Sequence, residues 1–136
     1  MTDGLVTDDE KLAVVRDMVA AWDRQDWAAV VGLFAPDGVL HSVMSTPLVG
    51  RAAIAERLAV LAEDLTHLEL QVRAMGVVEG RVFVERRDVF DRGGVHGEVP
   101  VVGVLAIGPE GVTEWLEYYD RATLLAGMGM TQDFAE

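Results

Sequence analysis

The residues that could do chemistry begin with a charged pair inside an apolar strand pattern. The run from Val82 to Phe90 has strand-like composition, and alternate side chains of a strand share a face. The face that carries Val82, Val84 and Phe90 also carries Arg86 and Asp88. Charge in an apolar environment is costly unless it is paired. The pair therefore needs a structural or a chemical reason.

A second carboxylate is predicted to enter the same interior. Trp115, Glu117 and Tyr119 share one face of a later strand, and the large apolar Trp115 marks that face as inward. An arginine between two carboxylates can keep their pKa values apart, so that one donates a proton while the other accepts a proton from water. Such an arrangement suits a concerted acid–base reaction without a metal or a covalent intermediate. The alternative is a buried structural ion-pair triad, because structural pairs also perturb pKa values.

Three helices are predicted in the first half of the chain. They begin after Thr7, Asp26 and Gly50. Thr7 and Glu10 form a capping-box pattern, with a hydroxyl at the cap and a carboxylate three residues later. Pro36-Asp37-Gly38 is predicted to end the second helix before a short strand from Val39 to Val43.

Four longer strands are predicted in the second half. They are Leu68 to Val78, Arg81 to Asp91, Glu98 to Ile107 and Val112 to Arg121. The short turns between them indicate an antiparallel meander. Helices followed by strands predict one α+β domain over residues 1–136, with the helices packed on one face of a curved sheet. The segment from Gly127 onward has no clear period.

Composition excludes several classes of function. The chain has 136 residues, of which 51 % are hydrophobic, and a formal net charge of −12. This acidity argues against a nucleic acid or a membrane surface as partner. Cysteine is absent, and His41, His67 and His96 lack metal-ligand spacing, so no metal is expected. No apolar run is long enough to span a membrane and the first residues lack a signal-peptide pattern, which predicts a soluble, cytoplasmic protein.

Two strand segments carry a resemblance to a known family. They are Glu85-Arg86-Arg87-Asp88-Val89 and Trp115-Leu116-Glu117-Tyr118-Tyr119-Asp120. Supporting segments are Leu33-Phe34-Ala35-Pro36-Asp37, Gly50-Arg51 and Gly103-Val104. With these motifs the chain resembles the limonene-1,2-epoxide hydrolases from its first helix to about Leu125. The resemblance implies an NTF2-like (SnoaL-like) fold, in which three N-terminal helices and a cone-shaped, curved antiparallel sheet enclose an apolar pocket.

The resemblance also implies a role for each residue of the charged set. Asp88 falls at the position of the general acid that protonates the epoxide oxygen, and Arg86 at that of the arginine bridging two carboxylates. Glu117 stands where the family has the aspartate that activates water. Its extra methylene moves the carboxylate by roughly an ångström, and a misplacement of that size can lower a rate by about 10²-fold.

The water-holding side departs from the family pattern. The resemblance implies a tyrosine and an asparagine at the positions of Leu40 and Ser42. Leu40 cannot form a hydrogen bond, and Ser42 is shorter than asparagine. His67, at a usually apolar pocket position, is the first candidate to replace these groups because histidine titrates near neutrality. His41 is the second, although alternation places it on the opposite face; a purely structural histidine is the alternative for both.

Apolar side chains on the same faces are predicted to line a cavity for a small hydrophobic substrate. They are Val19, Trp22, Leu61, Leu65, Leu70, Phe90, Val99, Val101 and Tyr119, with Leu124 near the mouth. Plain core packing is the alternative for each of them. Trp27 and Trp115 are interpreted as core.

The resemblance thus implies an epoxide hydrolase that needs no cofactor and forms a homodimer. Two other functions remain open on the same fold. In a ketosteroid-isomerase-like isomerase or a polyketide cyclase, Asp88 would abstract a carbon-bound proton while Tyr119 or His67 stabilises the enolate. A non-catalytic module would use the cavity to hold an apolar ligand, since a fold does not fix a function.

Overall fold

Four helices and six strands make up the described part of the chain. The computed structural model describes residues 6–131 and residue 133. The helices are α1 (Asp8–Asp23), α2 (Trp27–Leu33), α3 (Arg51–Leu61) and α4 (Arg121–Gly127). The strands are β1 (Phe34–Ser42), β2 (Leu48–Val49), β3 (Leu65–Val78), β4 (Arg81–Arg92), β5 (Val95–Gly108) and β6 (Gly111–Tyr118). The first residues, on which the absence of a signal peptide was predicted, lie outside the described part.

The first three helices begin where their caps predict. Thr7 Oγ1 accepts a hydrogen bond from Glu10 N at 3.1 Å, and Glu10 Oε1 accepts one from Thr7 N at 2.9 Å, which completes the capping box of α1. Asp26 Oδ1 accepts from Ala29 N at 3.1 Å at the start of α2. Gly50 precedes α3 with a φ of 89°, a conformation that glycine adopts without strain.

The strands form one sheet in the order β2-β1-β6-β5-β4-β3. Neighbours are antiparallel, except that β1 and β6 are parallel. Helices and strands share a core whose largest buried members include Val15, Met18, Phe34, Ile54, Leu58, Val82, Val84, Leu105, Val112 and Trp115. The predicted α+β architecture and the meander from β3 to β6 are therefore confirmed.

The first strand starts earlier than its sequence suggests. β1 begins at Phe34, so that Pro36-Asp37-Gly38 lies within the strand and not at the end of a helix. The pairing of β1 with β6 shifts register between Phe34 and Val39. A bulge of this kind accommodates a proline, which cannot donate to a regular ladder. The prediction that this segment ends the second helix was wrong, because α2 ends at Leu33 and the sheet accommodates the irregularity.

A fourth helix replaces the end of the predicted last strand. β6 ends at Tyr118, and Asp120 caps α4 by accepting from Ala122 N at 3.1 Å and from Thr123 Oγ1 at 2.7 Å. α4 lies against β5. The chain after the meander therefore returns to cover one end of the sheet.

The outer face of the sheet exposes some apolar surface. Val102 and Tyr118 pair across β5 and β6, and both side chains are exposed. The homodimer implied by the resemblance stays a prediction, and such a pair is the kind of surface that a second copy can cover. Among the described residues, no helix is both long and apolar enough to cross a membrane.

Candidate active site

Arg86 lies at the centre of the charged cluster and is only 3 % exposed. Its Nε donates to Asp88 Oδ1 at 2.7 Å, and its Nη2 donates to Asp88 Oδ2 at 3.0 Å. Its Nη1 donates to Glu117 Oε2 at 3.0 Å, and Nη2 also donates to Glu117 Oε1. The guanidinium thus engages each carboxylate through two hydrogen bonds, a strong and directional form of ion pair.

The sheet register brings these three residues together across β5. Gly103 of β5 pairs with Val84 on one side and with Glu117 on the other. Alternate residues of a strand share a face, so Arg86 points the same way as Val84. Its long side chain crosses β5 at Gly103, where no side chain stands in its path, and so reaches Glu117.

Gly103 is required by space and not by backbone conformation. A Cβ at this position would lie 2.8 Å from Glu117 Oε2, 2.9 Å from Arg86 Nη1 and 3.0 Å from Trp115 Nε1. These atoms are also bonded to one another: Trp115 Nε1 donates to Glu117 Oε2 at 2.8 Å. None can move aside without weakening a hydrogen bond of the cluster.

Burial dominates the electrostatics of Glu117. It raises the pKa of this carboxyl above the ordinary value of 4.5; the positive charge and hydrogen bonds of Arg86 oppose the shift, and the negative charge of Asp88 adds to it. Burial also disfavours the charge of Arg86. The negative charges and hydrogen bonds of Glu117 and Asp88 outweigh this effect and raise the pKa of the guanidinium overall. Arg86 therefore stays charged, while Glu117 is a stronger base than an exposed glutamate.

Most of the acceptor capacity of Glu117 is already used. A carboxylate offers about four acceptor sites, two on each oxygen. Oε2 accepts from Arg86 and from Trp115, whereas, among the residues that the structure describes, Oε1 accepts only from Arg86. The acceptor site that is left for another molecule is therefore on Oε1.

An apolar cavity of about 150 Å³ lies beside the cluster. Asp88, Glu117 and Arg86 line it; the two carboxylate side chains are 16 % and 13 % exposed, whereas that of the arginine is only 3 % exposed. Predicted wall residues found here are Trp22, Leu40, Ser42, Leu61, Leu65, Leu70, Phe90, Val99, Val101, Tyr119 and Leu124. An apolar pocket with a few converging polar groups is typical of a site for a small molecule.

Two residues predicted for this wall lie elsewhere. His67 is exposed, because a register shift between Leu65 and His67 turns Leu68 and Leu70 inward and leaves the histidine outside. Val19 packs against the main core and is not among the cavity residues. His41, the other candidate for the missing water contacts, bonds instead through Nε2 to Ser45 O at 2.8 Å.

Sequence reasoning missed several cavity residues. They are Ser45, Thr46, Leu48, Arg57, Leu58, Leu68, Arg121 and Met128. The first three belong to the β1–β2 connection and to β2, which have no periodic signal. Arg121 and Met128 come from α4 and its C-terminal cap, and the capping residue Asp120 is the sequence signal that could have revealed them.

A second polar group lines the same cavity. Ser42 Oγ lies 2.8 Å from Tyr119 OH, and Arg121 Nη1 donates to the same phenolic oxygen. The Arg121 guanidinium carbon also lies 5.9 Å from the centre of the Tyr119 ring. The cavity thus has two polar groups, one built on Arg86 and one on Tyr119.

A family model described as "SnoaL-like domain" matches residues 15–120, which is most of the chain. The chain belongs to the SnoaL-like domain family. The match includes all three residues of the Arg86 cluster together with Ser42 and Tyr119, and it ends before α4.

Solved structures agree with this SnoaL-like domain in fold. An LEH-like epoxide hydrolase from M. tuberculosis is 21 % identical with a TM-score of 0.77, over 89 % of this chain and 90 % of that one. A protein with a ketosteroid isomerase-like fold from Catenulispora acidiphila is 22 % identical with a TM-score of 0.76, over 90 % and 97 %. A protein from Shewanella denitrificans described as a SnoaL-like polyketide cyclase is 15 % identical with a TM-score of 0.78, over 88 % and 96 %. These likenesses confirm the predicted NTF2-like fold.

Metal ligation has no candidate in the described part of this SnoaL-like domain. Within residues 6–131 and 133, no group of three or more histidine, cysteine, aspartate or glutamate side chains could hold a metal ion.

We expect Gly103→Ala to destabilise this SnoaL-like domain and to separate Glu117 from Arg86. The added methyl group overlaps three bonded atoms, and overpacking of this kind costs about 1–3 kcal/mol. Gly76→Ala is the matched control, because a Cβ at Gly76 meets no atom within 4 Å. Urea unfolding measures both variants. A Gly103→Ala variant as stable as Gly76→Ala would contradict the packing argument.

Proposed function

We propose that this SnoaL-like domain adds water to a small hydrophobic epoxide in one acid–base step. The observation that carries the proposal is the placement of two carboxylates, bridged by one buried arginine, on the wall of an apolar cavity. The walls can hold the hydrocarbon part of the substrate, and the two carboxylates can reach its three-membered ring. A similar structure, though only 21 % identical, is an LEH-like epoxide hydrolase.

The proposed reaction needs one proton donor and one proton acceptor. Glu117 takes a proton from water as the water oxygen forms a bond to an epoxide carbon. The bond between that carbon and the ring oxygen breaks, and Asp88 donates its proton to the departing oxygen. The product is a diol, and transfer of one proton from Glu117 to Asp88 restores the starting state.

The electrostatics bear on the role of Glu117 as the base. The positive charge of Arg86 balances one ionised carboxylate, so the buried cluster is neutral when its two carboxyls share one proton. The reaction draws on the form with that proton on Asp88. Burial raises the pKa of Glu117, and a base with a raised pKa takes a proton from water more readily.

Incubation with limonene oxide, cyclohexene oxide and related epoxides in ¹⁸O-labelled water is expected to give diols that carry one labelled oxygen.

Asp88→Asn and Glu117→Gln should each lower kcat by at least about 10²-fold, since each removes one proton-transfer group. Glu85→Gln, on the opposite and exposed face of β4, is the matched control and should keep full turnover. The absence of diol above background for the unmodified protein across the panel would contradict the proposal.

On the acidic side of the pH profile, kcat/KM should fall at a higher pH than it would if the base were an exposed glutamate. Glu117 must be ionised to accept a proton, and burial raises its pKa above 4.5. We therefore expect kcat/KM to fall as the pH decreases through this raised pKa, at a pH above 4.5. A value of kcat/KM that stays constant as the pH is lowered to 4.5 would contradict the role of Glu117 as base.

A second candidate is an isomerase or cyclase that moves a carbon-bound proton. The Tyr119 hydroxyl favours it, because a phenol that accepts a hydrogen bond from Arg121 can donate to an enolate oxygen. Asp88 would then abstract the proton. One similar structure is described as a polyketide cyclase. In deuterated water, α-proton exchange of a ketone without any epoxide turnover is the result expected of this candidate, and diol formation without exchange is the result that excludes it.

A further inference from the structure

We propose that Ser42 and Tyr119 hold the attacking water beside Glu117, and that Arg121 is the positioning residue of this pair. The inference rests on the proposed function, in which Glu117 activates that water. It also accounts for Leu40, an apolar residue that lines the cavity at a position where the resemblance implies a hydrogen-bonding side chain.

The sheet register brings the pair to the base. Ser42 of β1 is the Cα partner of Glu117 on the parallel strand β6. Directly paired residues of neighbouring strands point to the same face and have Cα atoms about 5 Å apart. Tyr119 follows Glu117 by two residues, and its hydroxyl lies 2.8 Å from Ser42 Oγ. All three side chains line the same cavity.

The count of hydroxyl hydrogens leaves one for the water. Tyr119 OH already accepts from Arg121 Nη1. If Tyr119 donates to Ser42, the hydrogen of Ser42 is left over; if Ser42 donates to Tyr119, the hydrogen of Tyr119 is left over. In both arrangements the pair has one hydroxyl hydrogen to donate to a water oxygen and keeps at least one lone pair to accept from water.

Glu117 completes the contacts of that water. Its remaining acceptor site is on Oε1, because Oε2 already accepts from Arg86 and Trp115. A water that donates one hydrogen to Oε1 and accepts one from the hydroxyl pair keeps a lone pair for attack on carbon. The pair therefore supplies the orienting contact that Leu40 cannot make.

Arg121 lines the cavity and acts on the water through Tyr119. Its Nη1 donates to the phenolic oxygen, while its Nε donates to Asp133 Oδ2 at 2.9 Å. The guanidinium thus has a fixed position between a carboxylate and the phenol. A charge-assisted hydrogen bond of this kind polarises the Tyr119 hydroxyl and makes it a better donor.

The test compares Ser42→Ala, Tyr119→Phe and the double variant with Tyr118→Phe as the control. Tyr118 is the neighbouring tyrosine, and it is exposed and absent from the cavity wall. Each single variant keeps one hydroxyl, so we expect kcat to fall by about tenfold in each and by about 10²-fold in the double variant. KM should stay within about threefold, since the water and not the substrate loses its contact. A double variant with the kcat of the unmodified protein, or with its whole loss in KM, would overturn the proposal.

Arg121→Met tests the positioning role through a double-mutant cycle. If Arg121 acts only through Tyr119, Arg121→Met lowers kcat in the unmodified protein but adds nothing in the Tyr119→Phe background. Equal losses in the two backgrounds would show that Arg121 has a separate role.

A crystal structure of the unmodified protein separates failure of this inference from failure of the proposed function. We expect an ordered water within hydrogen-bond distance of Glu117 Oε1 and of Ser42 Oγ or Tyr119 OH, and its loss in the double variant. This result supports the water site even if no epoxide is turned over, in which case only the proposed function fails. Epoxide turnover without a water at this position would overturn the inference and leave the proposed function standing.

Discussion

The buried charge of Arg86 is the constraint on which the rest of the site depends. A guanidinium that is only 3 % exposed is tolerated because two carboxylates face it, and the carboxylates can share one interior because the guanidinium lies between them. Removal of one partner from a buried pair typically costs about 3–5 kcal/mol. The cluster therefore couples stability to the proposed chemistry, since the same contacts that make burial tolerable also fix the distance between the two carboxyls.

The surrounding strands allow Arg86 to reach Glu117. β5 separates β4 from β6, and Gly103 is the point at which Arg86 can cross it. Trp115 supplies a hydrogen bond to Glu117, and its ring lies 5.7 Å from the Arg86 guanidinium carbon and stacks on Phe34 in the core. The site is thus continuous with the main core on one side and open to the cavity on the other, which explains why its carboxylates are mostly buried and still reach the cavity.

Strand alternation was enough to predict the charged cluster, because a period of two residues leaves little freedom about which side chains share a face. Arg86 and Asp88 followed from their apolar neighbours, and Glu117 followed from Trp115. The helix caps at Thr7 and Asp26 could also be predicted, since each cap depends on residues that are close together in sequence. The order of the elements, with helices followed by strands, then limited the sheet to a few possible topologies.

Long-range features could not be predicted in the same way. His67 was placed on the cavity wall because the resemblance puts it at a usually apolar pocket position, but the register shift between Leu65 and His67 leaves it exposed, and this shift has no signature in the local sequence. The contact between Ser42 and Tyr119 joins residues 77 positions apart through the parallel pairing of β1 with β6. A sequence pattern that predicts an antiparallel meander does not predict a parallel pair of strands. The faces of the site residues were therefore predicted from alternation, whereas the bulge beside His67 and the parallel pairing that joins Ser42 to Tyr119 were not predicted.

The most direct test of the coupling between the two carboxyls is the titration of Glu117 by carbon-13 NMR, in the unmodified protein and in Asp88→Asn. We expect Glu117 to titrate above its ordinary value of 4.5, because burial raises its pKa, and we expect Asp88→Asn to move this pKa downward by removing a neighbouring negative charge. A Glu117 carboxyl that titrates at or below 4.5, with no response to Asp88→Asn, would contradict the coupling of the two carboxyls through Arg86.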